Sequence, residues 1–92
     1  MKGDKMITMK IRTWTEQPMH SFDGYTESIR EEFVDDLETA IDMMEIYVDE
    51  YVSYDEYEYE YTIFRSNQKE MGAFRDDYNN DISDGIRIEI FE

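Results

Sequence analysis

The sequence predicts an α+β fold: one long acidic helix packed on one face of a three- to four-stranded, mostly antiparallel sheet. Three observations predict it. Apolar side chains recur at three- and four-residue spacing over residues 29–51. Residues 7–15, 55–65 and 86–91 instead alternate between two kinds of side chain with period two. A single helical stretch among several strands gives the order β-α-β-(β)-β, for which helix on sheet is the simplest two-layer arrangement.

Length and composition bound the reading. Ninety-two residues suggest one domain over 1–92, with residues 1–5 frayed. A hydrophobic content of 40%, with 15% aromatic, supports a modest core and sets the chain apart from a disordered acidic tail. There is no cysteine, hence no disulfide and no thiolate metal site. No apolar run is long enough to span a membrane, and the N-terminus lacks the apolar core of a signal peptide, so a cytoplasmic location is expected. A net charge of −15 argues against direct binding to nucleic acid or an anionic membrane and favours a basic partner.

The first strand is expected over residues 7–15. Ile7, Met9, Ile11 and Thr13 face one way, and Thr8, Lys10, Arg12 and Trp14 the other. The second set is basic and suits a position beside a Glu-bearing strand. Residues 16–25 read as a connection, with Pro18 ending the strand and Asp23-Gly24 as a turn dipeptide. His20, the one histidine, reads as a surface residue of that loop.

Ser28-Ile29-Arg30-Glu31 fits a capping box that would start the helix at Ser28. At about 100° per residue, Ile29, Phe33, Leu37, Ala40, Ile41, Met44, Val48 and Tyr51 fall on one side. Glu27, Glu31, Asp35, Glu38, Asp42, Glu45 and Asp49 fall on another. The helix is expected to end near residues 51–54. Residues 55–65 then read as a strand with Tyr57, Tyr59, Tyr61 and Ile63 on one face and Glu56, Glu58, Glu60 and Thr62 on the other. Residues 66–68 read as a turn and 69–75 as a short strand with a bend at Gly72. Residues 76–85 read as a polar loop with a helical turn near Asp77-Tyr78. Residues 86–91 read as a closing strand with Ile86, Ile88 and Ile90 inward.

Charge is the distinctive feature. Residues 27–60 hold fourteen acids and one base, Arg30, and so carry −13 of the formal −15. Like charges at i,i+4 destabilise a helix, and an ordinary solvated helix intersperses Lys or Arg to recover that loss. A solubilising face is the bland alternative, but the near-absence of bases points to function. As one helix, residues 27–51 would span about 37 Å and carry one acid per roughly 3.7 Å, close to the roughly 3.4 Å between phosphates along one strand of B-DNA.

Other chemistry is weak. Asp77-x-Asn79-x-Asp81 starts like a calcium loop, but Ile82 stands where the turn Gly belongs and Ile88 where the bidentate Glu belongs, so an Asx-rich turn is the better reading. No acid is set apart from its neighbours as acid/base catalysis requires, and there is no phosphate loop and no nucleophilic Cys. The chain is therefore read as not an enzyme, without cofactor or metal. Met43 and Met44 read as core.

The acidic stretch 27–50, the Asp55-Glu-Tyr-Glu-Tyr-Glu-Tyr run, the small size and the absence of cysteine resemble the small acidic DNA-mimic inhibitors of phages and mobile elements, the anti-CRISPR and anti-restriction class. The resemblance is one of charge pattern over about a third of the chain. It implies occupation of the basic nucleic-acid channel of a host defence nuclease, with Glu31, Asp35, Glu38, Asp42, Glu45, Asp49, Glu56, Glu58 and Glu60 replacing phosphates. The alternative is an acidic protein-interaction module, antitoxin- or chaperone-like, that neutralises one basic partner. There, apolar surface at Met43, Trp14 and Phe91 matters as much as charge. A homodimer is compatible with either and would double the acidic surface.

Overall fold

A computed structural model describes residues 6–16, 26–53, 61–77 and 82–92. The chain is α+β, with one helix and five strands: β1 Ile7–Glu16, β2 Thr26–Val34, α1 Leu37–Ser53, β3 Thr62–Asn67, β4 Glu70–Asp77 and β5 Ile82–Phe91. The strands form one sheet in the order β2-β1-β5-β4-β3, and every pairing is antiparallel. The observed element order is therefore β-β-α-β-β-β, and the sheet is wider than the three to four strands expected.

The extra strand comes from residues assigned to the helix. Residues 26–34 pair along β1, with Thr15 opposite Thr26 and Ile7 opposite Val34. The capping box at Ser28 does not form. The helix starts two turns later, where Asp36 is the N-cap: its Oδ1 accepts from the Thr39 backbone N–H at 2.8 Å, and its carbonyl accepts from Ala40 N at 3.1 Å. The bonded Thr39 N–H also holds the Asp36 carboxyl below its ordinary pKa. The helix ends at Ser53, as expected.

The polar loop expected at 76–85 is also narrower. Asp77 belongs to β4 and Asp84-Gly85 to β5, with Asp77 opposite Ile82. The expected strand 55–65 appears as β3 from Thr62 onward, and residues 54–60, with Glu56, Glu58 and Glu60, lie outside the described residues. So do residues 1–5, the connection at 17–25 and the Asx-rich 78–81. The turn expected at 66–68 is displaced: Ser66 and Asn67 belong to β3, and Gln68-Lys69 make the turn into β4, where Asn67 Oδ1 accepts from Lys69 N at 2.7 Å.

Alternation gives the sheet two distinct faces. On one, Ile7, Met9 and Ile11 of β1, Ile86, Ile88 and Ile90 of β5, Ala73 of β4 and Val34 of β2 meet Ala40, Met44 and Val48 of α1. These residues form the core, which takes in the whole expected inward set of β5 and, on β1, Ile7, Met9 and Ile11, while Thr13 is half-buried beyond it. Met43, expected as core, packs partly buried against it.

The other face carries no element among the described residues. Its register sets four central rows. The first is Glu27, Trp14, Gly85, Phe74, Thr62. The second is Ile29, Arg12, Arg87, Gly72, Phe64. The third is Glu31, Lys10, Glu89, Glu70, and the fourth Phe33, Thr8, Phe91. Trp14 lies over Gly85 and Phe64 over Gly72. A Cβ built at Gly85 comes within 2.7 Å of the Trp14 ring, and one at Gly72 within 2.6 Å of the Phe64 ring. Each glycine is the flat seat for a neighbouring aromatic.

Candidate functional site

The candidate site is the outward face of α1. Glu38, Asp42, Glu45 and Asp49 are all exposed. Their spacing of four, three and four residues puts them within an arc of about 60°. Ala40, Met44 and Val48 are fully buried on the opposite side. The alternation between acids and core residues thus turns the whole ribbon to solvent.

Three side-chain contacts hold α1 in that orientation. Towards β2, the Tyr47 hydroxyl donates to Glu32 Oε1 at 2.7 Å, and the Arg30 guanidinium lies 5.6 Å from the Tyr47 ring centre. Towards β3, Arg65 Nη1 donates to Glu45 Oε2 at 2.7 Å. At the C-terminal end, the Tyr51 hydroxyl donates to Asp84 Oδ2 at 2.5 Å, and Tyr61 donates to the same oxygen at 2.8 Å. Asp84 is buried, and its other oxygen pairs with Arg75, whose guanidinium lies 5.5 Å from the Tyr61 ring centre. The hydrogen bond to Glu32 raises the Tyr47 pKa. Burial, followed by the Asp84 hydrogen bond, pushes that of Tyr51 well above the ordinary phenol value.

The helix carries five acids and no base. Glu38 sits in the first turn, where the dipole favours it, but Glu50 sits in the last turn, where the dipole opposes it and no base compensates. Among the described residues, Glu45 is the one helix acid with a basic partner, Arg65. The other described ion pairs lie in the sheet or at its ends: Arg12–Glu27, Arg30–Glu32, Arg75–Asp84, Arg87–Glu70, Arg87–Glu89 and Lys69–Glu92. Apart from Arg65, the ion-paired bases of the described residues are thus committed to acids off the helix, and the helix surface keeps most of its negative charge.

The nine expected site acids do not form one ribbon. Glu38, Asp42, Glu45 and Asp49 do, and Asp35 lies exposed in the bend just before the helix. Glu31 belongs to β2 and projects to the uncovered face of the sheet, away from the helix ribbon. The Tyr/Glu strand acids lie outside the described residues. The expected near-phosphate spacing also fails. Five acids on a 17-residue helix, about 25 Å long, give one charge per roughly 5 Å. The basic outer side of β1 does find Glu neighbours: Arg12 Nε lies 3.2 Å from Glu27, and Lys10 stands between Glu31 and Glu89 in register.

The sequence reading missed the buried Asp84. Its signal is present, since Arg75 and Asp84 are direct cross-strand partners once β4 and β5 pair as a hairpin. Among the described residues, no group of three or more His, Cys, Asp or Glu is placed to hold a metal ion, and no helix is long and apolar enough to cross a membrane. Comparison with known proteins gives no match to a family model, a curated protein or a solved structure.

Proposed function

We propose that the chain is an inhibitory binding protein whose acidic helix stands in for a nucleic-acid backbone and occupies the basic channel of a nucleic-acid-binding protein, such as a host defence nuclease. One observation carries the reading: α1 exposes a ribbon of Glu38, Asp42, Glu45 and Asp49 with no base on the helix to offset it. Its like-charge neighbours at i,i+3 and i,i+4 cost helix stability. A ribbon retained against that cost is what capture of a Lys/Arg row requires. Steering by the net charge of −15 would speed association, and counterion release would make binding steeply salt-dependent. Asp35 extends the ribbon at its N-terminal end. No residue is assigned a catalytic role.

The wider charge spacing of the real helix favours a second reading, an acidic interaction module that neutralises one basic protein without copying a duplex. Competition with DNA separates the two. Under the mimic reading, duplex DNA and this chain exclude each other from the target, and Glu38→Lys, Asp42→Lys and Asp49→Lys together abolish the competition while the fold is retained. A triple variant that still displaces DNA fully would remove the helix ribbon from the account.

A further inference from the structure

We propose that the uncovered face of the sheet is a homodimer interface, on which a second copy of this chain packs sheet against sheet about a twofold axis parallel to β5. The inference does not depend on what the acidic helix binds.

Three observations point to a second copy as the occupant. The first is charge. The four central rows of this face hold Lys10, Arg12 and Arg87 against Glu27, Glu31, Glu70 and Glu89, so the face is nearly neutral in a chain of net charge −15. Two copies of so acidic a chain repel everywhere else, and this face is where they can approach. Its charges are largely matched within the copy, as in the Arg12–Glu27 and Arg87–Glu70 pairs.

The second is apolar exposure on a flat surface. Ile29 is 47% exposed, Phe33 61%, Phe74 38% and Phe91 49%, and all four project from this face. Trp14 and Phe64 lie down over Gly85 and Gly72, which levels the middle of the sheet. At about 4.8 Å between strands and about 6.6 Å between same-face residues, the seventeen positions of these rows cover about 540 Å² per copy, or about 1,100 Å² for two. That lies below the usual range of about 1,200–2,000 Å² but clears the about 1,000 Å² that separates a weak biological interface from a packing contact.

The third is self-complementarity. β5 is the middle strand of β2-β1-β5-β4-β3. A twofold axis along it lays β1 over the partner's β4 and β2 over the partner's β3. Row by row, Trp14 then faces the partner's Phe74, Ile29 faces the partner's Phe64, and Lys10 faces the partner's Glu70. Arg87 and Glu89, both on β5, each meet their own copy on the axis, where Arg87 is paired with Glu70 and Glu89 of its own chain. Aligned sheets packed about 10 Å apart accommodate this arrangement. The two acidic helices end on opposite outer sides of the dimer, which would present two ribbons at once.

Sedimentation equilibrium on the purified chain tests the proposal, with concentration and NaCl varied and far-UV circular dichroism as the check on folding. The expected result is a monomer–dimer equilibrium that tightens as NaCl rises, because screening weakens the repulsion between copies. Ile29→Lys and Phe74→Lys should each weaken dimerisation at least tenfold. Ile46→Lys, which places the same charge on the equally exposed helix side, should leave it unchanged. A wild-type chain that stays monomeric at about 100 μM in either salt overturns the proposal. A dimer that responds to Ile46→Lys and ignores both sheet variants overturns it as well.

Discussion

The Tyr51 hydroxyl donates a 2.5 Å hydrogen bond to the buried Asp84 carboxylate, and so ties the last turns of α1 to the middle strand of the sheet. Arg75 neutralises the same carboxylate and Tyr61 adds a second donor. Removal of one partner of a buried ion pair leaves the other uncompensated. Asp84→Ala is therefore expected to cost about 3 kcal/mol, the low end for such pairs because Arg75 keeps some solvent contact. Urea denaturation measures it. A loss under about 1 kcal/mol would show that the cluster does not depend on the Asp84 carboxylate.

The tyrosines give the protein a distinctive alkaline limit. Tyr51 and Tyr47 have raised pKa values in the fold, through burial and the Asp84 bond for Tyr51 and through the Glu32 bond for Tyr47. A raised folded pKa contributes stability that is fully present below the unfolded value, near 10, and lost as pH rises beyond it. Denaturation midpoints measured from pH 8 upward should hold until about 10 and then fall. Tyr51→Phe should flatten the fall. If the variant shows the same slope as wild type, Tyr51 is not a source of the alkaline limit.

Gly85 has no room for a side chain, since a Cβ there would run into the Trp14 ring and meet the Ala73 carbonyl oxygen at 2.7 Å. Gly85→Ala is expected to destabilise by about 2 kcal/mol through overpacking and to displace Trp14. Trp14 is the one tryptophan, so its fluorescence reports the displacement directly. An unchanged emission spectrum and unchanged stability would contradict this packing.

The two core strands were legible because each buries one face. The alternation of Ile7, Met9, Ile11 and of Ile86, Ile88, Ile90 reads directly as core and occurs as such. β2 was not legible, because it is an edge strand with little buried on either side. Its inward set is Ser28, Arg30, Glu32 and Val34, and its two large apolar residues, Ile29 and Phe33, face outward. Ile29, Phe33 and Leu37 also happen to stand at helical spacing, and Ser28 stands three residues before Glu31. Hydrogen bonding to β1 overrides both local signals. The true start, Asp36, was masked by the run of acids around it. Merging β2 with α1 then lengthened the acidic ribbon and compressed its apparent spacing. In the candidate site, the outward turn of Glu38, Asp42, Glu45 and Asp49 was legible from periodicity alone. The placement of Glu31 on the opposite side of the sheet depended on the missed strand.

Helix self-repulsion predicts a salt response. Glu38/Asp42 and Glu45/Asp49 at i,i+4, with Asp42/Glu45 at i,i+3, repel along one line, and only Glu45 has a described basic partner. Screening should raise the melting temperature between about 0.02 M and 0.3 M NaCl, as the Debye length shortens past the spacing of the charges. Thermal scans at fixed pH measure it. A flat or falling trend would mean that the ribbon is already neutralised.

The central claim is that the helix ribbon captures a basic nucleic-acid-binding protein. Affinity capture from a cell lysate at about 0.1 M and about 0.5 M NaCl, with bound proteins identified by mass spectrometry, tests it most directly, because release of counterions makes such binding salt-sensitive. The control changes Glu38 and Glu45 to Gln and Asp42 and Asp49 to Asn. The account predicts one nucleic-acid-binding protein, captured at low salt, released at high salt and absent from the control. A partner with no nucleic-acid role, held at both salts and by the control as well, would contradict it.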